Sequence, residues 1–177
     1  MPRSIEDIEF SVSSTVSADP HVTWVAISDT ARLRETLSVM SDFEHVSAGR
    51  PMTDGGTVAD AGAMSAPTQQ AIAAGETYTA TLSAPVERLP MSFDTYCTVE
   101  DHCFPCMVAT VGGDGAMGSF DARAVLTVAD HPEGTEIEWS ARAGVAGPLA
   151  GLGESAIQGL VTYIVEDYLD RLDASLA

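Results

Sequence analysis

The chain of 177 residues has no lysine and no asparagine, and its eight cationic side chains are all arginine. Against 26 Asp and Glu residues this leaves a formal net charge of −18. Binding a phosphate backbone needs clustered Lys and Arg, so scattered arginines in an acidic field exclude nucleic acid as a partner. A charge-driven dock on anionic lipid fails for the same reason. A Walker A loop needs a lysine on the phosphates and is excluded outright. Cysteine is scarce, at three residues, which is too few for a disulfide framework. The opening Met1-Pro2-Arg3-Ser4-Ile5-Glu6-Asp7 lacks the apolar core of a secretory leader, so a reduced, cytoplasmic setting is expected. No run of 18 residues is free of charge, which predicts that nothing spans a membrane as a helix.

What is present is enough to fold. Hydrophobic residues make up 45% of the chain, far above the level of a disordered polymer. A chain of this length buries roughly 70% of its unfolded surface and forms one domain over residues 1–177 without disulfide or metal. The excess of carboxylates fits a cell with molar internal salt, where the Debye length is about 3 Å and acidic surfaces stay hydrated.

Apolar residues alternate from Ile8 to Val16, with Phe10, Val12 and Val16 on one side, as in a half-buried strand. Asp19-Pro20 then reads as an N-cap followed by the first helical residue. Trp24, Val25 and Ile27 face the core from that helix. A second short helix restarts at Ser28-Asp29-Thr30 and is carried by Leu33, Leu37 and Met40. Between Ser47 and Gly75 the chain turns rich in Gly, Ala, Ser and Thr without a period, which predicts a long, flexible insertion, about residues 47–75. Alternation then marks strands at Thr77–Leu82, Pro90–Val99, Cys106–Val111, Ser119–Val128 and Thr135–Arg142. From Leu149 to Leu176 apolar residues recur with the 3.6-residue period of one long amphipathic helix, with Glu166, Asp167, Asp170 and Asp173 on its wet flank. One helix covering the concave side of an antiparallel sheet is an α+β arrangement with room for a cavity.

Three stretches resemble a known family. They are Phe10-Ser11-Val12 with Ala18-Asp19-Pro20 through Trp24-Val25-Ala26-Ile27-Ser28-Asp29, then Gly134-Thr135-Glu136-Ile137-Glu138-Trp139, and finally Gly147-Pro148-Leu149-Ala150-Gly151-Leu152-Gly153 with Ile157 and Gly159. They resemble the START-like (polyketide cyclase, SRPBCC) superfamily and, within it, the CoxG-like family of carbon monoxide dehydrogenase accessory proteins. The resemblance implies a helix-grip fold, a curved antiparallel sheet wrapped around a long C-terminal helix. It also implies a cavity holding a quinone, isoprenoid or lipid, a non-catalytic role beside a molybdenum hydroxylase, and a protein that is cytoplasmic or peripheral to a membrane. The Ser47–Gly75 insertion is longer than the family's loop, and Pro148 stands where a basic residue is common.

The chemical motifs are few. Gly113-Asp114-Gly115-Ala116-Met117-Gly118 is a literal G-x-G-x-x-G, but a strand pattern rather than a helix follows it, so a hairpin turn is expected and no dinucleotide. Cys103-Phe104-Pro105-Cys106 offers idle thiols at a hairpin, a reversible disulfide, or a zinc site drafting Cys97 and His102. His21 lies beside a helix start and His45 and His131 near turns, and all three read as surface residues. The expected ligand-binding set is Phe93, Phe120 and Trp139 from the strands with Ile157, Leu160, Val161, Ile164 and Tyr168 from the helix. Each is equally compatible with plain core. An alternative reading is a cyclase, dehydratase or aromatase on the same scaffold, for which Glu87, Arg123, Arg142, Glu154 and Tyr168 are the titratable candidates. A third makes the chain a docking partner of a larger oxidoreductase.

Overall fold

The computed structural model describes residues 4–46, 72–86 and 89–176. Seven strands form one antiparallel, curved, open sheet. They are β1 (Ser4–Val16), β2 (Met40–Val46), β3 (Thr77–Val86), β4 (Leu89–Cys103), β5 (Cys106–Gly115), β6 (Gly118–His131) and β7 (Gly134–Ala146). The order across the sheet is β1-β7-β6-β5-β4-β3-β2. Hairpins join each neighbouring pair from β3 to β7, and the chain's first strand closes against its last, Val12 opposite Trp139.

The helices α1 (Pro20–Ile27) and α2 (Thr30–Thr36) fill the crossing from β1 to β2. Asp19 caps α1 by accepting from the His21 and Val22 amides at 2.9 and 3.0 Å, with Pro20 at the first helical position. Asp29 repeats the device on the Ala31 amide at 2.9 Å. The expected second helix is too long: α2 stops at Thr36, and Met40 belongs to β2. The sequence pattern misleads there because β2 carries a bulge between Ser41 and Glu44, with Asp42 at φ +52°, which breaks the period-2 alternation.

The last helix, α3 (Glu154–Leu176), lies closest to β1. It also starts later than expected. Pro148–Leu152 form a 3₁₀ turn, and Gly153 at φ +91°, a conformation open to glycine, separates that turn from α3. On its expected wet flank, two of the four acidic residues are held by hydrogen bonds. Asp173 accepts from both the amide and the hydroxyl of Ser17, at 2.8 and 2.9 Å. Asp167 accepts from the Ser38 hydroxyl at 3.0 Å and pairs with Arg171 at 2.9 Å.

Of the expected insertion, residues 47–71 lie outside the described residues. Its last residues are anchored. Ile72 is buried and its amide donates to the Ser28 carbonyl at 2.8 Å, while the Gly75 amide donates to Val99 at 2.8 Å. The core holds two large clusters and a small third one of Ile72, Tyr78 and Val99. The first gathers Ile8, Phe10, Phe93, Val145, Leu149 and Ile157; the second gathers Val16, Trp24, Ile137, Leu126, Leu169 and Leu172. Trp139 packs against both.

Candidate functional site

Strand register decides what faces α3. One row crosses the sheet as Phe10, Ala141, Ala124, Ala109 and Val99, from β1 to β4. The adjacent row on the same face runs Ile8, Ala143, Ala122, Val111, Cys97 and Tyr78. The middle of the concave face is therefore mostly methyl groups. Large side chains bound it on both sides. Val12, Trp139, Leu126, Met107 and His102 form the row towards α1. At the other end, Phe120 and Phe93 meet edge to face with ring centroids 5.6 Å apart. Phe120 lies over Gly113, where any side chain would collide with its ring.

The helix mirrors this pattern. Ile157, Leu169 and Leu172 are buried, whereas Leu160, Val161, Ile164, Val165 and Tyr168 between them remain half-buried. Ala109, Val111, Ala122 and Ala124 opposite are half-buried too. Small side chains on one wall thus stand opposite incompletely covered apolar side chains on the other.

Of the residues expected to bind a ligand, Phe93 and Ile157 are buried in the first core cluster. Phe120, Trp139, Leu160, Val161 and Tyr168 are half-buried and pack around its edges or those of the second cluster, and Ile164 is half-buried. Tyr168 brings the only hydroxyl of this helix stripe inward, and burial pushes its pKa well above the ordinary phenol range. Cys97 lies on the alanine floor itself, its thiol pushed up to about 11 by burial.

The remaining titratable candidates stand elsewhere. Arg123 pairs with Glu100 at 3.0 Å and Arg142 with Glu9 at 2.7 Å, all on exposed side chains. Glu154 is exposed at the start of α3, and Glu87 lies outside the described residues. An interior acid–base set cannot be built from the arginines or from Glu154. Gly113 to Gly118 close the β5–β6 hairpin, Gly115 opposite Gly118, which leaves no helix N-terminus for a pyrophosphate. Cys103 and Cys106 close the β4–β5 hairpin, six positions along β4 from Cys97. Among the described residues no three potential ligands are grouped for a metal ion.

Two polar groups escape sequence reasoning because they assemble across long separations. The Ser28 hydroxyl and His102 Nε2 lie 2.7 Å apart, beneath the ring of Trp24 at 4.9 Å from the imidazole. At the far edge Tyr78 donates to Glu76 at 2.7 Å, and His45 meets the same carboxylate oxygen at 3.3 Å. The alanine floor itself leaves a trace, the A-x-A repeats of Ala122/Ala124 and Ala141/Ala143, which a search for chemistry passes over.

The family model of the carbon monoxide dehydrogenase CoxG subunit matches residues 67–177, which is more than half of the chain. The chain belongs to the CoxG family. Solved structures agree on the fold. A conserved protein from Geobacillus kaustophilus superposes with a TM-score of 0.70 at 15% identity, covering 97% of this chain and 94% of its own. An uncharacterized protein from Rhizobium leguminosarum gives 0.63 at 10% identity, covering 98% and 96%. A protein from Thermus thermophilus gives 0.63 at 15% identity, covering 94% of each chain. At these identities the likeness carries the helix-grip fold alone. No curated protein matches the sequence. Among the described residues of this CoxG-family chain, no helix is long and apolar enough to cross a membrane.

Proposed function

We propose that the chain binds an apolar small molecule, a quinone, isoprenoid or lipid, between the sheet and α3, and performs no chemistry on it. The observation that carries this reading is the half-buried stretch Leu160–Tyr168 facing a floor of alanines, between two closed clusters. A protein that had no use for a gap would gain stability by filling it, since each buried methylene contributes about 0.8 kcal/mol. The walls are aliphatic and aromatic, and polar groups sit at the margins. That is the lining of an apolar-ligand site. Membership of the CoxG family supports an accessory role beside a molybdenum hydroxylase of the carbon monoxide dehydrogenase kind.

Organic extraction of natively purified protein followed by mass spectrometry tests the reading. A stoichiometric quinone, isoprenoid or lipid is expected. Folded protein that yields no such molecule, and takes up none from an added menaquinone or phospholipid pool, overturns it.

A further inference from the structure

The three cysteines occupy two kinds of surroundings. Cys97 lies half-buried on the alanine floor, where burial favours the neutral thiol. Cys103 and Cys106 lie at the tip of the β4–β5 hairpin, Cys103 exposed and Cys106 half-buried, with both thiols free. They are the last register pair of the two strands, directly opposite each other across Phe104-Pro105. Directly opposed residues in an antiparallel ladder have Cα atoms about 4.5–5.5 Å apart. A disulfide fits Cα separations of about 4.4–6.8 Å, a range that covers directly opposed ladder positions such as this pair.

Neither sulfur is needed to hold the tip in place. The Val128 amide donates to the Pro105 carbonyl at 3.0 Å. The Phe104 ring stacks on His21 with centroids 4.6 Å apart and meets Trp24 edge-on at 5.6 Å. His102, one residue before the pair, is fixed by Ser28. The two cysteines are thus presented in register whether or not their sulfurs are joined.

We propose that Cys103 and Cys106 form a reversible dithiol–disulfide couple whose reaction partner is an external disulfide, of low molecular weight or on another protein. The more exposed Cys103, as thiolate, attacks one sulfur of that disulfide, breaks its S–S bond and expels a thiolate that takes up a proton. The Cys106 thiolate then attacks the Cys103 sulfur and releases the second external thiol. Two protein thiols are oxidised to one disulfide, one external disulfide is reduced to two thiols, and the two protons end on the released thiols. The couple stands on the hairpin and is independent of any ligand in the gap.

The test uses the full chain, reduced and then equilibrated natively with oxidised glutathione, acid-quenched, unfolded and alkylated. The expected count of alkylated cysteines falls from three to one, with the label on Cys97, no retained glutathione, and full recovery after dithiothreitol. In Cys106→Ser the first step proceeds but cannot be resolved, so glutathione stays on Cys103. A lasting glutathione adduct on Cys103 of the unsubstituted chain, three unchanged thiols, or a dimer joined through Cys103 would each overturn the proposal. If Cys106→Ser does not fold, the count on the unsubstituted chain decides alone.

Discussion

The ends of α3 and its middle face the same sheet and are used differently. At Ile157 and at Leu169–Leu172 the helix side chains are buried in core, while between them Leu160, Val161, Ile164, Val165 and Tyr168 stay half-buried on the side of the alanine rows. The difference lies in side-chain size along two strand rows. It does not lie in the helix, whose apolar stripe runs unbroken from one end to the other. A helix can be continuous in pattern and discontinuous in contact, and only its partner's residues show where.

Truncation separates the two regions most sharply. Leu172→Ala removes a fully buried side chain from the second cluster and is expected to cost about 3 kcal/mol in urea unfolding. Ile164→Ala, in the half-buried middle, is expected to cost about 1 kcal/mol, because its methyl groups have fewer partners to lose. Equal costs at both positions would show the middle to be filled core. Filling the gap gives the converse measurement. Ala124→Leu is expected to change stability by about 0.5 kcal/mol or less while abolishing retention of an apolar ligand. If the core were solid there, overpacking would instead cost about 1–3 kcal/mol.

Cys97 reports the same contrast through pH. Its neutral thiol is favoured by the fold, so alkylation of native protein at Cys97 is expected to keep accelerating until about pH 11. The same sign holds for stability. The unfolded chain loses this proton first, so the urea midpoint falls as pH rises from the ordinary thiol range to about 11. Cys97→Ala is expected to flatten that fall. The smallest effect belongs to the convex face, where Arg123→Gln breaks an exposed ion pair with Glu100. A change within about 0.5 kcal/mol is expected there, with ligand retention untouched; lost retention would place Arg123 at the site after all.

Much of the fold was legible in the sequence because its signals are local. Asp19-Pro20 writes its own cap, and the alternation in β6 and β7 is undisturbed. Legibility failed where the backbone departs from regularity. The bulges beside Asp7 and Asp42, both at positive φ, hid the first residues of β1 and the whole of β2. Gly112 to Gly115 read as a turn although they continue β5 opposite Gly118–Asp121. The inward direction of Phe120, Trp139, Leu160, Ile164 and Tyr168 followed from period alone. Whether they enclose a gap did not, because that depends on which alanines stand opposite, and register is set by bulges and hairpins rather than by the strand's own composition.

The placement of the chain's two tryptophans gives the molecule two separate optical addresses. Trp139 borders the alanine floor and joins both clusters, whereas Trp24 sits beneath the hairpin tip against His102 and Phe104. A quinone in the gap would lie beside the first indole and drain its emission by energy transfer. A disulfide at the tip would quench the second. Replacing either indole with phenylalanine leaves a single emitter, so occupancy and oxidation can be followed separately in one cuvette.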